Sequence, residues 1–538
     1  MTTPAKEVEQ TPPTSGSDMS VETIQRRAAT GVLSLALRRV VHQIISFSGG
    51  IALARLLSPS VFGVFNLVTF VVNFFGFFGD IGFGATLIQM KEKPSERVLR
   101  TTFAIQQGLV AILMVLVFVS APALARYEKL PQSYMWLFRA MSLSLFLTSM
   151  KVIPSVMLQR KLDFNRIIIP EIAEIMVFNA VAVTMAFFHY GVWSLVFATL
   201  SRAAAGFTIL FILAPWKMGF AFDKEVGRRL VRFGGPFQLG QFFLLLKNMA
   251  IPVFATAMCG TAASGYLSWA NGLALLPYSV IEIVCRVALP VCSRLQNDIP
   301  MFARTVEKNV RMAALGVFPI ATLMAAMAPY AVQYIYSPKT DPTKWAPALP
   351  ALYLFLAAIM ASPVIHVYSN AFNALGRPKT SARLTGTYVL LGWALNIVLV
   401  YYHSVFGIRD AYNGIPWSMF LVALLCVWLP MVEMRKIASV RLAPNVWAPL
   451  VSSLLAMCLT RWVAVQVIHP VHGQASRLIP VLLIFGVTVL GMVFYVGFLL
   501  MLEGKRLLSE VSSFKTLVKA PSSPESEAAP VDAVEVAD

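Results

Sequence analysis

The sequence predicts an all-α, polytopic membrane protein: a helical bundle of about fourteen transmembrane helices, built as two pseudo-symmetric six-helix lobes plus two C-terminal helices. Three observations predict it. Of 538 residues, 57% are hydrophobic and only 13% are charged, about half the ~25% charged content of a soluble domain. The apolar residues fall in runs close to the ~20 residues that a helix needs to cross the hydrocarbon. Those runs lack the alternation of barrel strands, and backbone groups without water must be satisfied inside their own segment, so helices are the solution. The third observation is an internal repeat, taken up below.

Residues 1–31 are polar, with Pro12, Pro13, Ser15 and Gly16 and without the short apolar core of a cleavable signal, and read as a disordered cytoplasmic tail. Fourteen apolar runs bounded by charge, Pro or Gly follow, at 34–56, 61–79, 99–120, 133–156, 167–188, 191–213, 232–257, 263–288, 311–335, 347–372, 382–402, 412–432, 446–468 and 478–502. They group into an N-lobe over 32–214 (spans 1–6), a C-lobe over 215–436 (spans 7–12) and an appended pair over 437–502 (spans 13–14). Residues 503–538, with Pro521, Pro524 and Pro530, read as a second cytoplasmic tail.

The net charge of +18 comes from 44 Lys and Arg against 26 acids. With both termini placed in the cytoplasm, 29 basic residues fall in inside segments and 7 in outside loops, a positive-inside split that sets the orientation and supports an even span count. The basicity is therefore mostly topology, and no nucleic-acid partner is expected. No outside loop exceeds roughly 15 residues, too short to form an extracytoplasmic catalytic domain. The five cysteines, Cys259, Cys285, Cys292, Cys426 and Cys458, are scattered and show neither disulfide nor metal spacing, so they read as small buried hydrophobes. No nucleophile triad, metal cluster, phosphate-binding loop or dinucleotide fingerprint is visible, so no catalytic residue, metal or cofactor is expected.

Laying Gly63 on Gly265, an offset of 202, aligns Phe62-Gly63-Val64-Phe65 with Ser264-Gly265-Tyr266-Leu267 and, without a gap, Asp80 with Glu282. After spans 4 and 10, Leu158-Gln159-Arg160-Lys161 resembles Leu375-Gly376-Arg377-Pro378. Two units of six spans run in the same sense, which implies a pseudo-two-fold along the membrane normal and a site between lobes.

Eight basic residues remain inside the spans: Arg38, Arg39, Arg139, Lys151, Arg202, Lys247, Arg286 and Arg461. A charge near the bilayer centre costs at least ~2.5–3.5 kcal/mol on insertion scales, so each needs a partner or a watery cavity. Lys247 lies about 15 residues into span 7, beyond easy snorkelling, and is the strongest candidate for a cavity. Arg38, Arg39 and His42 occupy the first turns of span 1, where a cavity and snorkelling to the cytoplasmic interface are both open. Glu282 and Arg286, spaced i, i+4, suit either an intrahelical ion pair or a gate, and Asp80 suits a latch with Arg39. Glu171 and Glu174 read first as interfacial, while His42 and His366, as lone histidines, read first as core hydrogen-bonders. Cationic spans imply an anionic cargo, and the planar fork of Arg suits phosphate.

An ordered set of motifs completes the reading: Ala54-Arg55-Leu56-Leu57-Ser58-Pro59 with Phe62-Gly63, then Asp80-Ile81-Gly82-Phe83-Gly84-Ala85 ending in Leu87-Ile88-Gln89, then Leu158-Gln159-Arg160-Lys161-Leu162-Asp163-Phe164, and Asn373-Ala374-Leu375-Gly376-Arg377-Pro378. Together they resemble the Wzx-type oligosaccharide flippases, the polysaccharide-transporter branch of the multidrug/oligosaccharidyl-lipid/polysaccharide exporter superfamily. The resemblance implies a transporter, not an enzyme, that moves undecaprenyl-diphosphate-linked oligosaccharide across the bacterial inner membrane for lipopolysaccharide, capsule or exopolysaccharide assembly. It implies a central cationic cavity in which Arg38, Arg39, Lys247 and Arg286 receive the diphosphate, with His42 beside them and with Asp80 and Glu282 in gating or ion coupling. Expected partners are the lipid-linked oligosaccharide, membrane lipids, and polysaccharide polymerase and chain-length machinery. Spans 13 and 14 resemble the extra pair of the lipid II flippases. Two rival readings are a drug or cation antiporter of the same superfamily, which should place an acid deep in the spans, and a polysaccharide polymerase or ligase, which should show a long outside loop.

Overall fold

The computed structural model describes residues 42–79, 83–90, 94–161, 163–228, 245–246, 248–468 and 477–519. Among these residues there are helices, turns and no strands. Ten helices are long and apolar enough to span a membrane, or twelve when each of two bent pairs is taken as one span. These twelve correspond to twelve of the fourteen runs read from the sequence. Of the other two, 34–56 is described only from residue 42 and 232–257 only at 245–246 and from 248 onward.

The helices begin where the sequence supplies caps. In α4 (Glu96–Tyr127) the Ser95 hydroxyl accepts from the Val98 amide, and Asp163 accepts from Arg166 at the start of α7 (Phe164–Phe187), each satisfying a donor with no partner inside the helix. Prolines mark the breaks. Span 4 divides into α5 (Met135–Ser149) and α6 (Val152–Arg160), because Pro154 has no amide to give the carbonyl of Met150. Span 10 divides likewise into Leu349–Ile359 and Ser362–Ala374, bent by 43°, ahead of Pro363. Span 8 divides into Thr261–Ala274 and Tyr278–Arg294, bent by 47° at Pro277.

The described residues form two compact units, one running through Ser268 and including Tyr336–Lys344, the other comprising Trp269–Ile335 and everything from Trp345 onward. In the first unit α2 (Pro59–Gly79), α4, the pair α5 and α6 taken together, α7 and α8 (Val192–Leu213) are long and apolar enough to span, and α1 (42–56) is the described part of the first apolar run. Val64, Leu67 and Val72 of α2 pack with Val117, Phe138 and Val196. Arg160 sets one corner: its guanidinium donates to the carbonyls of Leu87 at 2.6 Å and Met90 at 2.8 Å, closing the end of the short helix α3 (Phe83–Gln89). Two of the motifs that carry the sequence resemblance are thus tied by one side chain.

The start of α2 crosses the segment that begins at Thr261. A Cβ on Gly63 would stand 1.9 Å from the Thr261 carbonyl oxygen, and a Cβ on Gly265 would stand 1.9 Å from that of Pro59. Only glycine permits so close a backbone approach. The two contacts are reciprocal, and both partners are related by the offset of 202 read from the sequence. Lys344 donates to the carbonyls of Ala54 and Arg55 at 2.9 and 3.1 Å, capping the end of α1.

In the second unit the helix Ile299–Tyr330, labelled α9, is the central pillar, with Phe302, Val306, Val310 and Val317 fully buried. Against it pack α10 (Ala443–Ile468) and α11 (Leu478–Lys519), through Leu315, Ala456, Tyr495 and Leu499 and a hydrogen bond from the Tyr495 hydroxyl to the Leu315 carbonyl. Toward one end of these helices Arg311 meets Glu503 at 2.6 Å. His366 lies 3.3 Å from the Tyr278 hydroxyl, in keeping with the core hydrogen-bonder read from the sequence. Of the cysteines, Cys292 and Cys426 are buried, whereas Cys458 is exposed and departs from the expectation for its class.

Candidate functional site

Among the in-span cations the structure separates structural from available charge. Arg139 donates to the Phe118 carbonyl and lies over the Phe118 and Trp136 rings, 4.2 and 4.7 Å from their centroids. Arg461 donates to the Ala326 carbonyl at 3.2 Å and covers the Tyr330 ring at 5.1 Å. Both are offset by aromatic faces and a backbone dipole, which removes the need for a cavity. Arg286 and Glu282 lie exposed on the same helix in the second unit, and no ion pair joins them among the described residues. Arg38, Arg39, Lys247 and Asp80 lie outside the described residues.

Lys151 and Arg202 meet at one place. Glu174 on α7 receives Lys151 Nζ on Oε1 at 2.6 Å and Arg202 Nε on Oε2 at 3.4 Å. The side chains of Lys151 and Glu174 keep 18% and 12% of their exposure, that of Arg202 51%. Each position has a local cause. Lys151 stands in the break between α5 and α6, and irregular backbone inside a membrane is tolerated where it lines a cavity or is packed in protein. Glu174 leans on Gly206 of α8, where a Cβ would come within 1.8 Å of Oε1.

These groups line a cavity of about 580 Å³ within the first unit, together with His42, Ser46, Ser155, Glu171, Phe178 and Asn179. His42 therefore does face a cavity, formed by α1, α6, α7 and α8 of one unit, and makes a long contact of 3.5 Å with Ser46. Glu174, taken from the sequence as interfacial, is the hub. A depth count could have found it. Lys151, Glu174 and Arg202 lie nine, ten and eleven residues from the helix ends at Arg160, Phe164 and Leu213, so three charges on consecutive spans share a level.

An acid bridging two bases has two competing cation partners, and a change in its position frees both at once. No group of three or more His, Cys, Asp or Glu able to hold a metal occurs among the described residues.

Comparison with known proteins adds a family and a fold. Residues 52–348 match the model of a family described as "Polysaccharide biosynthesis protein". The succinoglycan biosynthesis transport protein ExoT of Rhizobium meliloti (strain 1021) is 24% identical over 304 residues, 56% of this chain and 60% of that protein. The teichuronic acid biosynthesis protein TuaB of Bacillus subtilis (strain 168) is 23% identical over 332 residues, 61% of this chain and 65% of that protein. The chain thus spans about three fifths to two thirds of the length of these curated relatives. Among solved structures, the lipid II flippase MurJ in its inward closed conformation superposes with a TM-score of 0.66 at 13% identity, over 88% of this chain and 100% of that one. An inward-facing multidrug resistance MATE transporter of the MOP superfamily superposes with a TM-score of 0.57 at 16% identity, over 74% and 95%.

Proposed function

The chain belongs to this polysaccharide biosynthesis protein family, and from that premise we propose that it is a membrane transporter that flips lipid-linked saccharide, rather than an enzyme. The single observation that carries the reading is the family match over 52–348, joined to a fold of flippase type. Drug transporters share that fold, so the family, not the fold, separates the two readings.

The finer reading is an undecaprenyl-diphosphate-linked oligosaccharide as cargo, moved across the bacterial inner membrane by alternating access, with both termini cytoplasmic. The lobes 32–214 and 215–436 rock about the cargo. Arg38, Arg39, Lys247 and Arg286 hold the diphosphate, with His42 nearby, while Asp80 and Glu282 act in gating or ion coupling. Polysaccharide polymerase and chain-length machinery take the product onward. Cations in spans whose neighbours are apolar support this assignment, since a diphosphate offsets their desolvation.

The test is the sidedness of lipid-linked oligosaccharide in a deletion strain, read with a non-permeant sugar-modifying probe on spheroplasts. The expected outcome is accumulation facing the cytoplasm, reversed by the wild-type gene, with at least tenfold slower export for normally inserted Lys247→Ala and Arg286→Ala. Single units already facing outward in the deletion strain would place the protein after flipping and reject the reading. Wild-type export by both variants would reject the site.

A further inference from the structure

The cavity in the first unit differs chemically from a diphosphate site. Lys151 and Arg202 are balanced by Glu171 and Glu174, and Lys151 already lies 2.6 Å from Glu174. A phosphate entering here meets two carboxylates as well as two cations, whereas a diphosphate calls for a surplus of cations. What the cavity offers in surplus is hydrogen-bonding groups. Arg202 uses Nε on Glu174 and keeps both Nη groups, and the Lys151 ammonium gives one of its three protons to Glu174. Asn179 donates Nδ2 to the Ile175 carbonyl at 2.9 Å and keeps its second amide proton, while its Oδ1 lies against Gly49 of α1, where a Cβ would come within 1.6 Å. Ser155 Oγ accepts from Gln159 and keeps its own proton. Phe178 supplies an apolar wall. Alternating donors and acceptors beside an aromatic face match a ring that carries hydroxyls on its edges and C–H groups on its faces. The volume of about 580 Å³ falls within the ~300–1,000 Å³ of small-molecule sites.

We propose that this cavity is a saccharide subsite, in which sugar hydroxyls of the cargo bond to Lys151, Glu174, Asn179 and Arg202 while the phosphates are held elsewhere. The assignment rests on the flippase reading and deepens it. It divides recognition: cations read the lipid phosphate, and the cavity within one lobe reads the sugar. Gly206 matters because its missing Cβ lets Glu174 lie back against α8 and leaves the space open.

The experiment uses the full chain in lipid nanodiscs. The probe is the repeat-unit oligosaccharide released by mild acid from the host's lipid-linked pool and tagged at its reducing end, with inorganic diphosphate as competitor. The wild type is expected to bind the tagged sugar, Asn179→Leu at least tenfold more weakly, and Asn179→Gln, which keeps the amide, within threefold of wild type. Equimolar diphosphate is expected to leave sugar binding unchanged. Diphosphate displacing the sugar, equal binding by Asn179→Leu, or no binding by the wild type would each overturn the subsite. The sidedness assay separates this failure from that of the premise. If the wild type restores outward-facing oligosaccharide and Asn179→Leu and the cavity-filling Ser155→Trp do so equally, flipping stands and the subsite falls. If the wild type changes nothing, flipping itself falls.

Discussion

Two ion pairs in this molecule have the same length and different surroundings. Arg311–Glu503 and Lys151–Glu174 each measure 2.6 Å. The first, with side chains 3% and 11% exposed, is packed among α9, α10 and α11, near the point where α11 departs from helical geometry at Glu503. Arg506, 3.5 Å from Glu503 and bonded to the Pro444 carbonyl at 2.8 Å, continues the same fastening. The second, whose acid is shared with Arg202, differs in standing at the wall of a cavity. Bond length alone does not separate a fastening from a working site; the space beside it does.

The largest effect is expected at the packed pair. Removing one partner takes the carboxylate from a buried guanidinium or the nearer guanidinium from a buried acid, at a cost of about 3–5 kcal/mol. The lower figure applies to loss of Arg311, because Arg506 remains 3.5 Å from Glu503. Arg311→Ala and Glu503→Ala should each lower thermal stability sharply and free the C-terminal helices to proteolysis. The double change Arg311→Met with Glu503→Leu should recover most of the loss, because packed apolar residues can replace a buried pair. Single variants that melt with the wild type would mean that this pair, too, is not a fastening.

A smaller effect on stability and a larger one on transport are expected at the cavity. Glu174→Gln keeps shape and hydrogen bonding but removes the charge shared by Lys151 and Arg202. Water in the cavity can solvate the released cations, so the melting temperature should move by only a few degrees. Export should fall at least tenfold, equivalent to about 1.4 kcal/mol. A collapse in stability with unchanged export per inserted molecule would make the two pairs alike and end the contrast.

Sequence reading reached different depths in these regions. Apolar run length is a local property, so twelve spans were legible, and the reciprocal Gly63 and Gly265 contact was foreshadowed by a one-dimensional repeat. The breaks before Pro154 and Pro363 were not, because proline inside an apolar run is equally compatible with a tolerated kink. Lys151 and Arg202 stood out as costly residues, but Glu174 did not, since its pairing depends on three helices meeting at one depth. Arg139 and Arg461 looked as available as Lys151 until their ring and carbonyl partners were placed. Arg160 was legible as part of a motif, yet its work at the end of α3 is a contact between residues more than seventy positions apart.

Glu128 supplies a third case, a buried acid with neither fastening nor cavity. It caps the C-terminal end of α4, 6% exposed, and its Oε2 finds no hydrogen-bond partner among the described residues. Burial pushes its carboxyl up from 4.5 to about 7. A raised acid means that the folded protein holds a proton that the unfolded chain has lost, so stability declines as pH rises from about 4.5 to about 7 and is level above. Glu128→Gln removes that decline. The variant should melt a few degrees above the wild type at pH 8 and with it near pH 4.5, where both carry a neutral side chain. Comparing the two proteins at both pH values in one detergent cancels every other titrating group. A gap of the same size at both would assign the effect to packing, and would show that an acid lacking a partner here is solvated as the cavity acid is.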